Sequence, residues 1–182
     1  MTSLIILSGS PSVTSRTGAL SDHLATRLRG DGHTASVVRV RDLPAEPLLH
    51  ADSTHPKIAE VADAIAGAHG VVVASPVYKA AYSGVLKLLL DLLPQFALAG
   101  KVVLPVVTGG TPAHVLAIDY ALRPVLSSLG ADHIVPGWFV LDRHVEPLPG
   151  DARLDQRAAE DLYPIVDAFS EVVRGRHALA VA

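Results

Sequence analysis

Five short apolar runs, each emptying into a polar or glycine-bearing turn and then into a helical pattern, do most to limit what this 182-residue chain can fold into. They lie at residues 4–7, 34–40, 71–74, 101–107 and about 133–139. Short runs without polar alternation and rich in β-branched residues read as strands covered on both faces. The stretches between them carry the helical period. Leu20, Leu24 and Leu28 share one face of a helix expected over 17–29. Ile58, Val61, Ala62 and Ile65 line the inner side of another, capped by Thr54 and running to about 68. Further helices are expected over 83–93, 113–129 and 158–173, with an irregular stretch at 41–51 and a loop at 142–157. Strands alternating with helices mean βαβ units, a parallel sheet and right-handed crossovers.

Five such strands predict an α/β fold, a flavodoxin-like three-layer sandwich with a five-stranded parallel sheet, in one domain spanning 1–182. The strand order 2-1-3-4-5 follows by analogy. Apolar residues make up 49% of the chain, which supplies a sizeable core and argues against disorder. The net charge of −3, with no run of Lys or Arg, disfavours nucleic acid and anionic membranes as partners. With no cysteine there are no disulfides, thiolate metal sites or cysteine nucleophiles. The nine histidines show no paired ligand spacing, so no metal site is expected. The first residues lack a basic n-region and no stretch approaches the length of a membrane span, so a soluble cytoplasmic protein is expected.

In open α/β sheets, ligands bind beyond the carboxyl ends of the strands. Three turns stand there with suitable chemistry. The first holds Ser8, Ser10, Ser12, Thr14, Ser15, Arg16 and Thr17 ahead of a helix start. Hydroxyls, one guanidinium and helix N–H groups suit a phosphate, and capping alone is the plainer reading. Neither G-x-x-x-x-G-K-[ST] nor G-x-G-x-x-G is present, so a monophosphate without Mg²⁺ fits better than a nucleoside triphosphate or a dinucleotide Rossmann site. The second turn, Pro76 to Tyr82, offers Tyr78, Lys79 and Tyr82 to a flat, partly polar ring, or simply to packing and solvent. The third, Thr108-Gly109-Gly110-Thr111, permits close backbone approach or positive φ, or is an ordinary tight turn. His114 follows it and reads as structural. There is no G-x-S-x-G, hence no nucleophile elbow. No residue is assigned a catalytic role.

Two helices carry further information. Val85, Leu86, Leu88, Leu89, Leu90, Leu92 and Leu93 surround the 83–93 helix, which predicts burial on all sides and hence a subunit interface. Pro124, inside the 113–129 helix, has no N–H for the Tyr120 carbonyl and its ring crowds that carbonyl. A local widening to a π-bulge relieves the clash, and such bulges often mark functional sites. An ordinary proline kink with Tyr120 in the core is the alternative.

Gly9-Ser10-Pro11, Ser15-Arg16, the stretch from Ser75 to Gly84, Leu90-Asp91-Leu92-Leu93-Pro94, the stretch from Gly100 to Pro105, Thr108-Gly109-Gly110-Thr111 and the stretch from Asp119 to Leu126 together resemble the NADPH-dependent FMN reductases. The resemblance is nearest to the reductase components of two-component alkanesulfonate monooxygenase systems. It covers roughly 4–139 and is most specific over 75–126. It implies FMN and NADPH as cofactors and an NAD(P)H:FMN oxidoreductase that supplies reduced flavin to a partner monooxygenase for sulfonate desulfonation. By the same resemblance, Ser10, Ser15, Arg16 and Thr17 hold the FMN phosphate. Pro76, Val77, Tyr78 and Lys79 line the isoalloxazine and ribityl side, and Thr108, Gly109, Gly110 and Thr111 meet the polar edge of the ring. It also implies a homotetramer, a dimer of dimers, with Tyr120 in a π-helix and the 83–93 helix near interfaces. A quinone or azo reductase, a flavodoxin-type electron carrier and a phosphate-binding regulatory module are the competing readings.

Overall fold

The computed structural model describes residues 1–181, with side chains through Leu179. The chain runs β1 (Ser3–Ser8), α1 (Arg16–Gly30), β2 (Thr34–Arg39), α2 (Ala45–Leu49), α3 (Pro56–Ala66), β3 (Gly70–Tyr78), β4 (Ala81–Tyr82), α4 (Gly84–Leu90) and β5 (Val102–Gly109). A π-helix, Ile118–Leu122, leads directly into α5 (Arg123–Ser128). Then follow β6 (His133–Ile134), β7 (Trp138–Leu141), β8 (Val145–Leu148), β9 (Asp151–Leu154) and α6 (Gln156–Val181).

The parallel sheet has the order β2-β1-β3-β5, with the fifth position shared by β6 and β7. This is the expected 2-1-3-4-5 order. Period-2 alternation divides the sheet between two layers. Ile5, Leu7, Val71, Val73, Val103 and Val107 face α3, α4 and α5 through Ile58, Ile65, Leu86, Leu89 and Leu126. Leu4, Ile6, Val72, Leu104 and Val106 face α1 and α6 through Leu20, Leu24, Leu28, Leu162, Val166 and Phe169. Lys101 is buried at the start of β5, where its ammonium donates to the carbonyls of Ala66 and Ala68, both at 2.9 Å. It thereby closes the end of α3, and burial pushes its pKa down.

Several local expectations are corrected. The fifth strand is interrupted between Ile134 and Trp138. The Val135 N–H donates to the Val103 carbonyl at 3.0 Å, so Val103 turns its polar groups toward the fifth strand. Two residues later Pro105 faces the same way without an N–H to give, and the ladder breaks there. The 142–157 segment is not a loop. It holds the antiparallel hairpin β8–β9, whose Val145 and Ala152 pack into the α1 layer. The 41–51 stretch contains α2. His55, not Thr54, caps α3 and accepts from the Lys57 N–H, while Thr54 bonds the Asp52 carboxylate.

The 113–129 segment is a short 3₁₀ turn at Pro112–His114, then the π-helix, then α5. The Arg123 N–H reaches back five residues to the Ile118 carbonyl, immediately before Pro124. Tyr120 lies on the surface, 79% exposed, and not in the core. The leucines of the 83–93 segment are mostly satisfied within one chain: Leu86, Leu89, Leu90, Leu92 and Leu93 are buried, and only Val85 and Leu88 are partly exposed. This helix therefore does not by itself require a second subunit.

Candidate functional site

At the carboxyl ends of β1, β3 and β5 the chain forms a cleft of about 180 Å³. Its first wall is the turn after β1. Ser15 caps α1, its Oγ accepting the Gly18 N–H at 3.0 Å, so the remaining first-turn N–H groups are left for a ligand. No acidic residue occupies that turn to offset the positive end of the helix. Ser10 is buried, and its Oγ accepts the Ser12 N–H at 3.3 Å, holding the turn in shape. Arg16 is exposed at the cleft and makes no ion pair or hydrogen bond among the described residues.

The turn is anchored from behind. The Gly9 N–H donates to the Ala74 carbonyl at 2.8 Å, and the Ser83 hydroxyl donates to the Gly9 carbonyl. Ser83 also caps α4, accepting the Leu86 N–H at 3.1 Å. A Cβ at Gly9 would lie 2.6 Å from the Leu86 Cβ, so only glycine lets α4 seat this closely.

The second wall differs from the expected turn. β3 continues through Pro76 and Val77 to Tyr78, pairing Pro76 with Thr108 and folding back on β4. Lys79 and Ala80 form the two-residue hairpin turn at φ 50° and 64°. Pro76, Val77 and Tyr78 line the cleft as a flat, largely apolar face. Lys79 stands exposed at the hairpin tip, outside the lining.

The third wall is Thr108 and Gly109. Thr108 and Thr17, both buried, share a hydroxyl hydrogen bond of 2.7 Å that ties the first turn to the third. One O–H is spent in that bond and the other is free to donate. Gly109 is required for space rather than for φ: a Cβ there would lie 2.8 Å from the Phe139 ring. Gly110 and Thr111 are exposed just beyond the lining, and the Thr111 hydroxyl accepts the Ala113 N–H at 3.3 Å.

Nine of the twelve predicted residues thus meet in one cleft, and Lys79, Gly110 and Thr111 stand at its margin. Two contributors escaped sequence reasoning. Asp142, at the carboxyl end of β7, puts an acceptor into a wall made mostly of donors. Its position directly after a strand was the available signal, hidden by reading 142–157 as featureless. Arg41, after β2, donates to the Ser12 carbonyl and braces the first turn, with no local motif to announce it.

These features suit one flat ring carrying one phosphate. The donors gather at the α1 N-terminus, the apolar face is a few residues away, and among the described residues no group of three His, Asp or Glu could hold a metal. They do not suit a triphosphate, for which the cleft offers one uncommitted cation.

Residues 2–146 match the NADPH-dependent FMN reductase family. The chain is 45% identical over 168 residues to an FMN reductase (NADPH) of Pseudomonas putida, covering 91% of this chain and 85% of the relative. It is 46% identical over 149 residues to an FMN reductase (NADPH) of Escherichia coli, covering 79% and 78%. The fold superposes on the apo crystal structure of an NADH:FMN oxidoreductase with TM-score 0.86 and 39% identity, covering 94% of this chain and 90% of that one. The chain therefore belongs to the NADPH-dependent FMN reductase family, as an NAD(P)H:FMN oxidoreductase of flavodoxin-like fold.

Proposed function

We propose that this FMN reductase releases its reduced flavin to a partner monooxygenase, as in sulfonate desulfonation. The observation that carries this reading is the shallowness of the cleft. The turn after β1 and the end of β5 grip one end of it, while Tyr78 on the apolar side is half exposed. A flavin held this way is fixed at its phosphate and open at its ring, which suits exchange. The family's resemblance to the reductase components of alkanesulfonate systems supports the choice of partner.

Bound FMN supplies a two-electron acceptor for the hydride of a reduced nicotinamide, and the protein's own task is positioning and electrostatics. Arg16 and the first-turn N–H groups of α1 offset the phosphate charge. The hydroxyls of Ser10 and Ser15 and the one free O–H of the Thr17–Thr108 pair complete the donor set. Pro76, Val77 and Tyr78 pack the ring, and Gly109 allows it to approach the backbone. None of these groups needs to move a proton, so no general base is assigned.

The exposed Val115, Leu116 and Tyr120 beside the π-helix support assembly of several copies, in keeping with the tetramer that the resemblance implies. Purified protein mixed with NADPH and free FMN tests the reading. Rapid FMN-dependent loss of nicotinamide absorbance is expected, with free reduced flavin passing to an added monooxygenase. Turnover only with a quinone would instead make the chain an acceptor reductase. No turnover with either would fit an electron carrier.

A further inference from the structure

A second cleft, of about 260 Å³, lies between β7 and the start of α6. Asp142 lines the flavin cleft and the next residue, Arg143, lines the second. Pro112, next to the Thr111 of the third turn, also belongs to its wall. Its other notable residues are Trp138, His144, Arg157 and Asp161.

The arginines of this chain are otherwise committed. Arg27, Arg39, Arg41, Arg123, Arg153 and Arg176 pair with carboxylates, and Arg29 and Arg174 donate to carbonyls. Among the described residues only Arg16, Arg143 and Arg157 have neither kind of partner. The first lines the flavin cleft, and the other two line this one. Arg157 also stands in the first turn of α6, where a cation is disfavoured by the helix dipole and a bound anion would offset it. The local carboxylates make no ion pair with either arginine: Asp155 bonds His144 and the Ala158 N–H at 2.9 Å and feels the charge of Arg157 only at longer range, and Glu146 pairs with Arg153. Asp161 is the single carboxylate in the lining, suited to a sugar hydroxyl, and Trp138 offers an aromatic surface.

We propose that Arg143 and Arg157 bind the 2′-phosphate of NADPH, seating its adenosine end in this cleft while the nicotinamide reaches the neighbouring flavin. The proposal rests on the flavin-reductase reading and extends it to coenzyme choice. Arg157 lies beyond the 2–146 family match, so half of this phosphate clamp is a feature of the chain outside that match.

Both arginines are exposed, and their substitution leaves the core intact. Arg143→Ala and Arg157→Ala, singly and together, are assayed with NADPH and with NADH at saturating FMN. Each single change is expected to lower the ratio of kcat/KM for NADPH to that for NADH about tenfold, mainly through the KM for NADPH, with partial recovery in Arg143→Lys. An unchanged ratio in the double variant overturns the proposal. Calorimetry with adenosine 2′,5′-bisphosphate reads the cleft without turnover. The wild type should bind it and the double variant should not. Equal binding, or none by a wild type that oxidises NADPH, overturns the cleft. Bisphosphate binding lost in the double variant, by a wild type that does not turn over, supports the cleft and contradicts the reductase reading.

Discussion

Single side chains decide whether the proposed flavin cleft holds its shape. Ser83 is the clearest: one buried hydroxyl caps α4 and grips the carbonyl of Gly9. Ser83→Ala should cost about 1–3 kcal/mol in urea unfolding and weaken FMN binding in parallel. The bond from Ser83 to Gly9 was not legible in the sequence, because the two lie 74 residues apart. Arg41 was hidden for the same reason. His33 governs the acid limb of stability. It is buried between the hydroxyls of Thr2 and Ser170, and burial first and Arg174 second hold its pKa below the ordinary 6.5, with Asp31 opposing. His69 is lowered likewise, by burial and then by His177 and Lys101. The unfolded chain therefore binds more protons than the folded one below about pH 6.5, and stability falls as pH drops from there. The carboxylates whose pKa is lowered, Asp52, Asp132, Asp151 and Asp155, add their loss only as pH falls through the range around and below the ordinary 3.8. Thermal melts should show Tm declining between pH 7 and 5, and His33→Gln should flatten that slope. A slope unchanged in the variant contradicts the assignment.

Elements were legible where one period ran unbroken and obscure where a proline or a tertiary contact intervened. Residues 71–74 read as a strand, yet Pro76 concealed that β3 continues to Tyr78 and turns on Lys79 and Ala80. Left-handed backbone at two residues with side chains is strained. Lys79→Asn with Ala80→Gly should stabilise the hairpin by roughly 1–2 kcal/mol, measured by unfolding, and leave the cleft lining in position. The β8–β9 hairpin was missed because Pro147, Pro149 and Gly150 suggest irregularity, whereas Val145 and Ala152 pin it to α1. Pro124 allowed either a kink or a π-bulge, and the family resemblance at Tyr120 pointed to the bulge, which forms at Ile118–Leu122. Deleting Tyr120 removes the extra residue and should restore an α-helical ladder. Sedimentation and FMN-reduction assays should then show altered assembly or turnover, and a deletion variant unchanged in both would deprive the bulge of a role.

For the whole molecule, parallel strands ordered 2-1-3-4-5 bring two turns and the end of β3, distant in sequence, to one rim, and this convergence was the most readable feature of the chain. What could not be read was the depth of the cleft and its neighbour at β7, since both depend on where the interrupted fifth strand lies against Pro105. Among the described residues no helix is long and apolar enough to cross a membrane. The central claim is that the turn after β1, the end of β3 and the end of β5 hold a single FMN. A crystal structure of the protein at saturating FMN tests it most directly. The phosphate is expected at the N-terminus of α1 beside Arg16 and the ring against Pro76, Val77 and Tyr78. Flavin bound elsewhere, or none in this cleft, would contradict it.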